Sequence, residues 1–271
     1  MPKHGYPLSI DEKGRVLLWG ASEGVTNPPH TPADTWAESA LQEYPLGTVL
    51  WEPNQGRFWR YAQNGAVALD AAVLVQKPIV ESNADHTDMA VDTPAIGDVT
   101  VTVTNGGNTA IVVNEFKDGW LHVNDGTGEG HAYRIKSHPA AATSATCAIT
   151  LYDEDPIVVA FVAATTVSLT NHPGYKVIVN PAPTTGKVYG VTNMAITAAY
   201  FFWAQYKGPA AVKTDGSAAL ANGMPVRASE DDDGAVALTN WDESGVNDEQ
   251  AGICLHANAD GEHSLIYLTM D

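Results

Sequence analysis

The sequence predicts an all-β protein: antiparallel sandwich or barrel units rich in hairpins, with an extended N-terminal arm and one short helix. Three observations carry that prediction. Asn-Gly and Asp-Gly pairs, which accept positive φ in tight turns, recur at Asn64-Gly65, Asn105-Gly106, Asp118-Gly119, Asp125-Gly126, Asp215-Gly216, Asn222-Gly223, Asp233-Gly234 and Asp260-Gly261. Runs with period-two alternation or β-branched enrichment lie between them, spaced by about ten residues as in a sandwich or barrel. Charged residues make up only 17% of the chain, against roughly 25% in an ordinary soluble domain, so polar surface falls largely to Thr, Asn, Ser and Gly. Those residues suit sheets and turns better than helices.

The elements follow in order. Residues up to about Glu52 are rich in proline and glycine, with Pro28, Pro29 and Pro32 close together, and read as an arm with little core of its own. Within it, Asp34 to Leu41 is the one segment that argues clearly for a helix: an Asp or Thr cap precedes good helix formers, and Pro45 and Gly47 stop it. Strands are expected from Val99 to Thr104 (VTVTVT), Ala110 to Val113, Trp120 to Val123, His131 to Ile135, Thr146 to Leu151 and Val158 to Phe161. Further strands are expected from Thr166 to Thr170, Lys176 to Val179, Tyr200 to Tyr206, Met224 to Ala228, Ala251 to Leu255 and His263 to Leu268. The segment from Pro181 to Gly186 reads as a boundary. The expected organisation is an arm with a short helix over 1–55, a central β domain over 56–194 and a small barrel-like domain over 195–271.

A faint repeat relates FWRYAQNGAV, beginning at Phe58, to FWAQYKGPAA, beginning at Phe202. One reading is an aromatic strand, a glycine turn and a second strand that closes a small barrel; chance likeness in a chain rich in Ala, Gly and Val is the competing one.

Asp and Glu total 32 against 14 Lys and Arg, giving a net charge of −18. With no basic stripe as a local exception, such a surface repels phosphate backbones, so nucleic acid is not an expected partner. The N-terminal MPKHGYPLSIDEKGR lacks the apolar stretch of a secretory signal, and no later run approaches about 18 apolar residues, so no membrane partner is expected either. Cys147 and Cys254 each sit in an apolar run and read as small buried hydrophobes rather than as a disulfide.

The common nucleophilic, zinc and nucleotide signatures are absent, and no catalytic, cofactor or metal site is expected. His122 and His131 bracket a loop with Asp125 and Glu129, which reads as a glycine-rich turn in preference to a metal site. Glu230-Asp231-Asp232-Asp233-Gly234 supplies hard oxygen ligands but lacks the calcium-loop spacing, and reads as a solvated turn. Asp153-Glu154-Asp155 reads the same way. Glu262, His263 and Ser264 are adjacent on an expected strand, where neighbours point to opposite faces, so they form no relay.

The aromatics are the stronger signal. Trp51, Phe58, Trp59 and Tyr61 form one group; Tyr200, Phe202, Trp203 and Tyr206 form another beside Phe201. Alternate aromatics on a strand project to both faces, so burying all of them needs either a second layer of the same chain or a subunit interface. These eight residues are the candidate interface. Trp59 or Trp203 could alternatively serve a carbohydrate-binding module as a stacking platform.

The C-terminal stretch from Phe201 (FFWAQYKGPAAVKTDGSAALANGMPVRASEDDDGAVAL), with AGICLHANADGEHSLIYLTMD, resembles the small β-rich cement or decoration proteins of tailed-bacteriophage capsids. The order carries it: an aromatic strand, Gly208, a valine strand, Gly223 with Val226, Asp233-Gly234-Ala235, then Gly252 and a final apolar strand. FKDGWLHVNDGTGEGHAYRIKSHPA is similarly like structural proteins of marine and cyanobacterial phages. The resemblance implies a non-enzymatic virion protein, made in the host cytoplasm. It would sit on the outer capsid face as a homo-oligomer, most often a trimer, and clamp the major capsid protein.

Overall fold

A computed structural model describes residues 34–78, 86–106, 109–216, 220–239, 250–259 and 261–270, together with the backbone of two short strands near the N terminus. Among these residues there is no α-helix, and every pairing between named strands is antiparallel. The chain forms two compact units, one built on residues 34–78 and everything from Pro173 onward, the other on the segment between them.

The first unit begins with β1 (Leu8–Ile10), β2 (Val16–Leu18), β3 (Val49–Glu52), β4 (Arg57–Gln63) and β5 (Leu74–Gln76). The second contains β6 (Met89–Ala90), β7 (Thr100–Thr104), β8 (Trp120–Asp125), β9 (Ala132–Ser137), β10 (Thr146–Leu151) and β11 (Thr166–Thr170). The chain then returns to the first unit as β12 (Ile178–Val179), β13 (Val188–Val191), β14 (Phe201–Lys213), β15 (Pro225–Ala228), β16 (Val236–Leu238), β17 (Gln250–His256) and β18 (His263–Thr269).

The second unit is a nearly closed six-stranded barrel, ordered β6-β11-β8-β9-β10-β7, in which the bridge Val91↔Val103 brings the last strand back towards the first. Its core follows from period two: alternate residues of β7 (Val101, Val103), β8 (Leu121, Val123), β9 (Tyr133, Ile135) and β10 (Cys147, Ile149, Leu151) point inward and are buried. Each fully buried side chain of this size contributes about 1.5–3 kcal/mol.

The first unit is a twelve-stranded sheet in the order β1-β2-β3-β4-β14-β18-β17-β15-β16, with β5, β12 and β13 attached beside β14. Its axis is the thirteen-residue β14, which pairs with β4 over its first half and with β18 over its second. The changeover lies at a register shift between Gln205 and Lys207, next to Gly208, whose φ is +89°. A Cβ at Gly208 would lie 2.3 Å from the Gly56 carbonyl oxygen, so glycine alone lets the two backbones meet.

Three expectations need correction. Asp34 to Leu41 is not helical: Trp36 N–H donates to Asp34 Oδ1 in a local turn, and Ser39 exchanges backbone hydrogen bonds with Phe201 in the sheet. So short a helix, with Pro45 close behind, has too few internal bonds to repay its nucleation. Residues 34–55 are not a coreless arm either, since Tyr44, Leu46 and Leu50 are buried against Trp59, Tyr61 and Trp203. Pro28, Pro29 and Pro32 lie outside the described residues. The chain also divides differently from the expected cuts near 55 and 195, because β4 pairs with β14, more than a hundred residues away, along six positions.

Most expected strands are present, Thr146–Leu151 and Thr166–Thr170 to the residue. Ala110 to Val113 and Val158 to Phe161 are loops instead. The two halves of the faint repeat are β4 and β14, which are neighbours in one sheet; Gly208 is a bend within β14 rather than a turn after it.

Candidate functional site

The aromatic groups expected at an interface are divided by the strand pleat. Trp59, Tyr61 and Trp203 point to one side of β4 and β14, where Tyr61 packs against Trp203 at 5.0 Å and Tyr44 at 5.2 Å. Phe202 points to the other side, buried with Ala62, Val75, Val177 and Tyr189. These four are core, and the chain supplies both covering layers itself. Trp59 donates its indole N–H to the buried carboxylate of Glu52 at 3.0 Å. Enclosed in this way, neither Trp59 nor Trp203 offers a stacking platform.

Trp51, Phe58 and Tyr206 remain partly exposed, Tyr206 packing against the core that contains Val212, Ile266 and Leu268. Trp51 stacks on Phe58 at 5.7 Å, Phe58 meets Tyr206 edge-on, and the Arg60 guanidinium lies 3.8 Å from the Tyr206 ring centroid. Their polarisable faces are thus engaged within the chain. Tyr200 is half-buried beside the Phe202 cluster.

A further outward apolar surface lies across β14, β18, β17 and β15. Register places Pro209 opposite Tyr267, Tyr267 opposite Ile253, and Ile253 opposite Pro225, a continuous row over four strands. Beside it, Ala211 pairs with Leu265, and Leu255 and Met224 are also exposed. Tyr267, Ile253, Leu265, Met224 and Leu255 are 38–44% exposed. Leu265 also pairs with the exposed His256, the one ionisable group in the two rows; Lys207 bounds them at one end, Lys213 and His263 at the other. On a chain of net charge −18 this is an unusually neutral face. The inward partners Ser264, Ile266 and Leu268 are buried, so β18 is covered on one side and bare on the other.

Beyond that face, an open cleft of about 510 Å³ is lined by Leu69, Asp70, Val73, Lys213, Asp232 and His263, among others. Its ionisable groups are largely engaged: Lys213 Nζ pairs with Asp232 at 2.8 Å, and the Asp233 carboxylate accepts the Ala182 N–H. The acidic turn at 230–233 is tied down in the same manner. Glu230 pairs with Arg227, and Ser229 Oγ accepts the N–H groups of Asp231 and Asp232. His131 bonds through Nδ1 to the Gly128 carbonyl oxygen within its own turn, and His122 stands on β8 opposite Ala132. Asp153 pairs with Lys136. Among the described residues no group of three or more His, Cys, Asp or Glu side chains could hold a metal ion.

Cys147 and Cys254 are both buried and free, one in each unit, and burial pushes both thiols up from their ordinary pKa. They are hydrophobic fillers, as expected. Burial likewise raises the phenols of Tyr61, Tyr152 and Tyr189 well above the usual range. No helix among the described residues is long and apolar enough to cross a membrane.

No family model, curated protein or solved structure matches the chain.

The residues that sequence reasoning missed are Pro209, Tyr267, Ile253, Pro225 and Leu265. A signal for them exists in HSLIYLT, where apolar residues occupy both parities of the strand; a strand with one face in water alternates instead.

Proposed function

We propose that this chain is a structural assembly protein, a virion component that decorates a phage capsid as a homo-oligomer and joins copies through the outward face of β14, β18, β17 and β15. The observation that carries the reading is that face: five large apolar side chains, 38–44% exposed, gathered where β14, β18, β17 and β15 pair, with His256 the one ionisable group among their cross-strand partners. Contiguous apolar surface of this kind marks contact sites in soluble proteins. Copies of a strongly acidic chain repel one another wherever their carboxylates meet, so a neutral face is where they can approach. A pleated sheet face is also rigid, and burying it costs little conformational entropy. Repeated copies on a shell then gain strength from avidity. The resemblance to capsid cement proteins supplies the shell, the major capsid protein as partner and the trimer as the expected state.

Sedimentation of the full chain alone and with shells assembled from a tailed-phage major capsid protein tests the reading. The expected result is a stable oligomer that co-sediments with the shells, and a monomer when Leu265→Asp and Tyr267→Asp are combined. A monodisperse wild-type monomer that ignores the shells overturns it.

A further inference from the structure

A second apolar surface lies at one end of the inserted barrel, where three loops are tied together. Gly97 N–H donates to the Ile157 carbonyl oxygen at 2.8 Å, Ile157 N–H to Asp98 at 2.9 Å, and Phe161 N–H to Pro94 at 3.1 Å, which locks residues 91–99 to residues 152–165. Thr165 Oγ1 donates to the Thr127 carbonyl oxygen, and a Cβ at Gly128 would touch the Phe161 ring, which brings in residues 125–131. Within this end Ile157 and Phe161 point inward and are buried, whereas Ile96 is 70%, Val158 52% and Val162 44% exposed. Ala95, Ala160, Ala163 and Ala164 are exposed around them. A surface turn is ordinarily built from Gly, Asn, Asp and Ser. IVVAFVAA, from Ile157 to Ala164, is instead a strand-like apolar run held as a loop.

The surroundings specify what this end can meet. The three loops contain no lysine or arginine, and Asp92, Asp98, Asp125, Glu129 and Glu154 are exposed on them. An apolar centre with a polar rim is the anatomy of a protein interface, and here the rim is predominantly acidic, with Lys136 paired to Asp153 and Arg134 over Tyr152 at one edge. A second copy would set carboxylate against carboxylate. A lipid surface is anchored through Trp, Tyr and basic residues, and these loops offer no exposed aromatic and no cation. β6 begins and β11 ends at the strand ends opposite to these loops.

We infer that the loops carrying Ile96, Val158 and Val162 dock into an apolar recess of another protein whose rim bears lysine and arginine. This adds the chemistry of the partner to the assembly reading, and it rests on a different face from the one that joins copies.

The test uses the full chain and immobilised synthetic peptides of alternating Leu and Lys, with Leu/Glu and Ser/Lys peptides as controls. Wild-type protein is expected to bind the Leu/Lys surface, more weakly as salt rises, and neither control. Val158→Asp with Val162→Asp is expected to weaken that binding by about tenfold or more. Val112→Asp with Val113→Asp, on an exposed loop at the other end of the barrel, is expected to leave it unchanged. Should the double tip variant fail to fold, Ile96→Asp gives the same readout from the most exposed of the three positions. The Leu265→Asp/Tyr267→Asp protein should keep its peptide binding, which separates failure of this inference from failure of the oligomer. Retained Leu/Lys binding in the tip variants overturns the inference. So does equal loss in the Val112/Val113 control, or a tip-dependent binding to phosphatidylcholine vesicles or to a second copy.

Discussion

Gly208→Ala puts the architecture of the first unit under direct test. At φ +89° an L-residue pays about 1–2 kcal/mol for the left-handed backbone, and the new Cβ would stand 2.3 Å from the Gly56 carbonyl oxygen and 3.0 Å from its carbon. Backbone cannot swing aside as a side chain does, so the contact adds an overpacking cost of about 1–3 kcal/mol. The expected loss is about 3 kcal/mol, or a urea midpoint about 1.5 M lower at an m value of about 2 kcal/mol/M. Gly223→Ala is the matched control: its φ is +86°, but no atom lies within 4 Å of the added Cβ. Both substitutions narrow the unfolded ensemble by the same amount, so the difference between them isolates the contact with Gly56. Tryptophan fluorescence reads this unit, since Trp59 and Trp203 lie in its core. Equal midpoints for the two variants would refute the claim that β14 bends at Gly208 by close approach to β4.

Other expectations follow from single contacts. His138 accepts the Phe116 N–H at Nε2 and meets the Pro139 carbonyl oxygen at Nδ1, both at 2.9 Å, a pattern that the neutral ring satisfies. Burial holds its pKa below the ordinary histidine value, reinforced by His86 and opposed by the Pro139 bond and Glu115. The unfolded chain therefore takes up the proton first: stability is full above about pH 6.5 and falls as pH drops below it, by at most about 1.4 kcal/mol per pH unit. Chemical denaturation from pH 7.5 to 5 should show that slope in the inserted barrel, and His138→Gln should reduce it. Tyr152 donates to the buried Asp118 carboxylate at 2.5 Å, so Tyr152→Phe removes a donor from a charged group and should cost about 2 kcal/mol in thermal unfolding. Thiol titration should find Cys147 and Cys254 unreactive in the native state and both reactive in denaturant, because burial keeps each protonated and out of reach.

Where the strands lie was legible because local chemistry settles it. VTVTVT has one buried parity, and Asp125-Gly126 and Asp233-Gly234 supply positive φ where β8 turns into β9 and β15 into β16. The same reasoning misjudged Val158 to Phe161, whose β-branched apolar run looks like a strand but joins no strand ladder among the described residues, its Phe161 N–H going to the Pro94 carbonyl oxygen instead. It also assigned a helix to Asp34–Leu41, where the backbone of Ser39 bonds to Phe201 instead of to its own turn. Propensity ranks the options for a segment, and long-range pairing chooses among them.

The candidate surfaces divide along the same line. The sequence by itself determined that the aromatic strands β4 and β14 must be covered on both faces, because side chains alternate across a pleat. Only the tertiary structure decided that the covering layers are Tyr44, Leu46 and Leu50 on one side and Leu69, Val75 and Val177 on the other, all from this chain. In β18 the same two-faced pattern ends differently, with Ile266 covered and Leu265 and Tyr267 left bare. A strand's parity is fixed by two-residue geometry, whereas what covers each face depends on segments more than a hundred residues apart closing on one another.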